Sequence, residues 1–115
     1  MSGNIWSYRD ISGFQAGADL TGYTVEATDG SIGKVDKHSD EVDAAHIVVD
    51  TGVWIFGKHV LLPAGTITSI DLQEHTIYVD RTKEEIKNAP EFDKDRHHPI
   101  EPDYYGKIGQ YYNHM

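Results

Sequence analysis

The sequence predicts an all-β domain, a small barrel of about six strands, followed by a short α-helix and an aromatic C-terminal tail. Three observations carry that prediction. The chain has 115 residues, 38% hydrophobic and 25% charged, enough for one core that buries about two-thirds of the unfolded surface and too few for a second. Between Leu20 and Val79, short apolar runs alternate with turn chemistry and show no helical periodicity. A sheet of so few strands removes its exposed edges most economically by closing on itself.

The first strand is Tyr23–Ala27, where alternation places Val25 and Ala27 on one face. Asp29-Gly30 follows, a pair that tolerates the positive φ of a tight hairpin. The returning segment Ile32–Asp36 sets Ile32 and Val35 on opposite parity. Either one of them points away from the core, or Gly33 marks a bulge or a close backbone approach. After the acidic turn Ser39–Asp43, His46–Asp50 has an unbroken apolar centre, the pattern of a central strand covered on both faces. Thr51-Gly52 turns the chain into Val53-Trp54-Ile55-Phe56, and His59–Pro63 follows. Pro63 lacks a ladder donor and should end that strand. Thr66–Asp71 and Thr76–Asp80, joined by Leu72–His75, complete the set.

At Thr82 the pattern changes. Thr82-Lys-Glu-Glu85 fits a capping box, and Ala89-Pro90 stops the helix within about two turns. The chain therefore divides into an N-terminal extension (1–18), the barrel (19–81), a short helix (82–90), and a charged linker with a tyrosine-rich tail (91–115). In the tail, Tyr104, Tyr105, Ile108, Tyr111 and Tyr112 form one helical stripe. Gly106 and Gly109 each cost roughly 1 kcal/mol against alanine, so such a helix needs a surface on which to fold. That surface is this molecule's own barrel, a symmetry mate, or another protein.

The chain has no cysteine, which excludes a disulfide framework, a thiolate metal site and a cysteine nucleophile. With 10 basic and 19 acidic residues the formal charge is −9, which repels phosphate backbones and anionic lipid. No nucleic-acid partner is expected. Neither a signal-peptide pattern nor a run of about 20 apolar residues is present, so the expected location is cytoplasmic, without direct membrane insertion.

Metal-ligand spacing is absent among the seven histidines; of these, His38, His46, His59 and His75 stand singly, and His97-His98 is an adjacent pair in the linker. The acid-rich stretch from Asp36 fails as a calcium loop, with Glu41 in place of the turn glycine and Ile47 in place of the bidentate acid. Gly30-Ser31-Ile32-Gly33 is neither a nucleophile elbow nor a phosphate loop. The expectation is a non-enzyme without metal or cofactor. Apolar material that so small a barrel cannot bury, Trp54 and Phe56 with the tyrosine stripe, marks an interaction surface for a protein partner or a second copy, most simply in a homodimer. The alternative is a small-molecule or metal-binding sensor using the barrel mouth and His38, His46 or His59.

Leu20-Thr-Gly-Tyr-Thr-Val, Asp29-Gly-Ser-Ile-Gly-Lys-Val-Asp36, Ile47-Val-Val-Asp50 and Lys58-His-Val-Leu-Leu-Pro63, in that order, resemble the PRC-barrel family. That family is named for the cytoplasmic domain of the photosynthetic reaction-centre H subunit, and it includes the C-terminal domain of the ribosome maturation factor RimM. The run from Tyr78 to Pro90 is similar to the helix that follows the barrel in stand-alone bacterial members. The resemblance extends from Asp19 to Phe92. It implies a small, highly curved β-barrel serving as an adaptor or assembly module, with no shared catalytic residues. It also implies a link to stress responses, as in some stand-alone members, or a reaction-centre H-subunit-like role in photosynthetic electron transport.

Overall fold

The computed structural model describes residues 5, 19–39, 45–52, 59–89 and 102–113. Among these residues six strands are formed: β1 (Thr24–Ala27), β2 (Gly30–Ser39), β3 (His46–Asp50), β4 (His59–Pro63), β5 (Ile67–Asp71) and β6 (Thr76–Val79). A single 3-10 turn, Ala64–Thr66, joins β4 to β5, and two helices follow, α1 (Lys83–Lys87) and α2 (Pro102–Asn113). The strands make one sheet in the order β4-β3-β2-β1-β6-β5. Only the β1–β6 pair is parallel.

Strand order and connection length together force the sheet to curl. Laid flat, six strands would hold β4 and β5 about 24 Å apart. The four Cα–Cα steps from Pro63 to Ile67 reach at most about 15 Å. Three bulges supply curvature: Ile32, Asp36 and Thr68 are each skipped in the pairing register.

Among the described residues no ladder joins β4 to β5, so the barrel expected from sequence is a rolled, mixed sheet with a seam. The backbone groups at the seam have other partners. Ala64 N–H donates to Ala45 O (3.0 Å), Gly65 N–H to Ile5 O (2.7 Å), and Asp80 N–H to Thr66 O (2.9 Å). Thr66, fully buried, turns its hydroxyl onto Pro63 O (2.8 Å).

The bulge at Ile32 resolves the parity conflict in β2, because one extra residue lets Ile32 and Val35 both face inward, 1% and 3% exposed. Close approach occurs there too. Gly33 has φ +148°, and a Cβ on it would lie 2.0 Å from Asp50 O. In β3, Ile47, Val48 and Val49 are all buried, so this strand is covered on both faces, and it lies one strand in from the sheet edge. Consecutive burial recurs at Leu61 and Leu62 of β4, against which α2 packs.

Candidate interaction surface

Pro102–Asn113 of the tail form helix α2, which packs against β4 of the same chain. Tyr104, Ile108 and Tyr112, spaced at i, i+4 and i+8, are buried in the same cluster as Val25, Ile47 and Leu62. Of the surfaces the sequence leaves open for the stripe, these three side chains use this molecule's own sheet. Tyr111 is half-buried, and the Tyr105 side chain lies outside the described set.

Arg81 organises the helix end. It is 8% exposed and sits between β6 and α1. Its Nη2 donates to Tyr112 O (2.9 Å), its Nη1 pairs with the Asp80 carboxylate, and its Cζ lies 5.8 Å from the Tyr112 ring centroid. A cation is favoured at this point, where the carbonyls of α2 carry the negative end of the helix dipole. Tyr111 donates its hydroxyl to Glu85 O (2.6 Å). Burial, and secondarily the Glu85 charge, raises the Tyr111 phenol above its ordinary 10.0. The Tyr112 phenol is raised by burial above all, with Tyr111 and Tyr104 adding and Arg81 opposing. The Tyr112 hydroxyl and Arg81 Nε are buried without hydrogen-bond partners among the described residues.

Two other predicted interaction residues, Trp54 and Phe56, lie outside the described residues. What the described sheet does expose is Tyr78, 42% accessible and the only exposed large hydrophobic side chain among those residues. Register explains its position. Val25 and Ala27 of β1 and Ile77 and Val79 of β6 face inward, which turns Glu26 and Tyr78 outward. Pairing then aligns Ser31, Glu26, Tyr78 and Ser69 in one row across four strands, beside a row of Lys34, Thr24, Thr76 and Asp71. Tyr78 is thus an aromatic centre in a polar, hydroxyl-rich face. In the sequence it stands as one more strand residue. The signal was its parity, opposite to Ile77 and Val79.

The turn and cap residues tie the sheet to α1. Gly30 has φ +146°. Asp29 serves the helix, its Oδ1 accepting the Lys83 N–H (2.8 Å). Thr82 and Glu85 form a reciprocal capping box, Glu85 N–H to Thr82 Oγ1 (3.1 Å) and Thr82 N–H to Glu85 Oε1 (2.8 Å). Pro63 is the last residue of β4.

The histidines of the sensor alternative do not converge. His38 pairs with Ile47 and Ser39 with His46, so His38 and His46 face opposite sides of the sheet. His38 Nε2 accepts the Leu20 N–H (3.3 Å), and His59 Nε2 lies 3.4 Å from the Asp36 carboxylate. Thr21, through its backbone and then its hydroxyl, lowers the Asp19 pKa, and His38 adds to the effect. A shallow groove between β2 and the end of β3 is lined by Ile32, Gly33, Lys34 and Asp50, among others, and by none of these histidines. No group of three potential metal ligands occurs among the described residues. No helix among them is long and apolar enough to cross a membrane.

Residues 13–86, more than half of the chain, match the PRC-barrel domain family. Among solved structures, a protein assigned to 16S ribosomal RNA processing, RimM from Pseudomonas aeruginosa, is similar over 56% of this chain and 42% of that one, at 25% identity and a TM-score of 0.48. The chain spans less than half the length of that protein. No curated protein is significantly similar to it.

Proposed function

Because the chain belongs to the PRC-barrel family, we propose that it is a non-enzymatic adaptor or assembly module that binds a protein partner through the outer face of its sheet, centred on Tyr78. The observation that carries this reading is the exposure of Tyr78 within two aligned polar rows. Tyrosine is a preferred anchor at protein interfaces, offering large area with a hydrogen-bonding end. The flanking serines, threonines, Glu26 and Lys34 supply the polar rim such an anchor needs. The formal charge of −9 favours a protein partner over a phosphate backbone. Trp54 and Phe56, which lie in sequence between β3 and β4, are proposed as further contact residues.

Affinity capture from native lysate, run with the full chain and with Tyr78→Ala, tests this reading. A protein recovered by the parent chain and lost from the variant, at an unchanged thermal midpoint, supports it. Recovery of the chain's own copies alone would make the partner a second copy, in a homodimer. An identical set of proteins on both baits removes Tyr78 from the interface.

A further inference from the structure

Helix α2 is poorly provided for as a permanent part of the core. Twelve residues is too short for a helix to persist alone in water, and Gly106 weakens it further. No packing demand explains that glycine, since a Cβ there would meet nothing within 4 Å. Docking leaves the Tyr112 hydroxyl and Arg81 Nε buried and unpartnered. Arg81 holds Tyr112 O, and Glu85 O accepts the Tyr111 hydroxyl, so two hydrogen bonds tie the last turn of α2 to the stretch from Arg81 to Glu85. The six strands keep their ladders without any contribution from α2.

From these observations we propose that α2 is a detachable clasp, latched at its C-terminal end by Arg81, which undocks as a unit while the six-stranded sheet stays folded. Undocking uncovers apolar surface along β4, where Leu61 and Leu62 are both buried in the docked form. The module thereby has a closed and an open state, and anything that holds Tyr112 O or Arg81 elsewhere shifts it toward the open one. The inference stands apart from the Tyr78 interface and does not require it.

Native-state hydrogen exchange on the full chain tests the clasp. The α2 amides should exchange through an opening at least roughly tenfold more frequent than that of Ile47–Val49 in β3, the signature of a separate cooperative unit. Gly33→Ala, whose clash is with the β3 backbone at Asp50 and with Thr51, should speed exchange in β3 and leave α2 unchanged. Gly106→Ala should slow α2 exchange roughly fivefold, the helix-propensity difference expressed as a rate. Arg81→Lys should speed it severalfold. Equal protection in α2 and β3, with both speeding together in Gly33→Ala, would make α2 part of the global unit and overturn the proposal. Unchanged α2 exchange in Arg81→Lys would remove Arg81 as the latch.

Discussion

Replacing Gly33 by alanine puts the rolled sheet under a direct steric test. The added methyl would lie 2.0 Å from Asp50 O, 2.9 Å from Asp50 C and 3.0 Å from Thr51 Cα, all backbone atoms that no rotamer change can move aside. At φ +148°, the residue also occupies a region essentially reserved for glycine, at a cost of about 1–3 kcal/mol. Relief of the clash requires the end of β2 to separate from β3, which sacrifices the pairing of Lys34 with Asp50. The sum is about 3 kcal/mol or more, a large share of the ~5–15 kcal/mol that holds a domain of this kind together. Urea unfolding of the full chain measures it, with a constant slope required for the comparison. Gly22→Ala is the control, since its φ is +87° but nothing lies within 4 Å, so only the left-handed strain of about 1–2 kcal/mol applies. If Gly33→Ala costs no more than Gly22→Ala, the close approach of β2 and β3 is wrong, and with it the register that buries Ile32 and Val35 together.

Tyr112→Phe removes a buried hydroxyl without a partner and should raise stability by about 1 kcal/mol, where a satisfied tyrosine would lose stability; the same unfolding assay decides. Because Tyr111 and Tyr112 both have pKa values raised above 10.0 in the folded chain, the folded state favours their neutral forms. Their contribution is intact below pH 10.0 and lost as pH rises beyond it, so thermal melts should show an alkaline decline that Tyr112→Phe diminishes. Thr82→Ala breaks the half of the capping box that satisfies the Glu85 N–H and should cost about 1 kcal/mol, read in the thermal midpoint.

Much of the architecture can be read in local patterns because local chemistry decides it. Alternation in Tyr23–Ala27 gives the face of β1, the Asp29-Gly30 pair gives a turn, and Thr82 with Glu85 gives the start of α1. The parity conflict between Ile32 and Val35 even locates a bulge. Features that depend on distant segments were not legible. The β4–β5 seam is occupied by Ala45 and Ile5, and no pattern in Ala64–Thr66 names those partners. Asp29 reads as a turn residue and turns out to cap a helix that begins at Lys83. The tyrosine stripe announces a helix with one apolar face, but whether that face meets this chain or another depends on which surface lies within reach. Tyr78 is the converse case: it belongs to an ordinary strand pattern, and its exposure follows from the neighbours that register places around it.

The central claim, that this PRC-barrel chain works by binding a protein through the Tyr78 face, is tested most directly by calorimetric titration of the captured partner into the parent chain and into Tyr78→Ala. The account predicts roughly thirtyfold weaker binding for the variant, equivalent to the ~2 kcal/mol of an interface hot spot, with the fold unchanged. Equal affinity for the two proteins would contradict it.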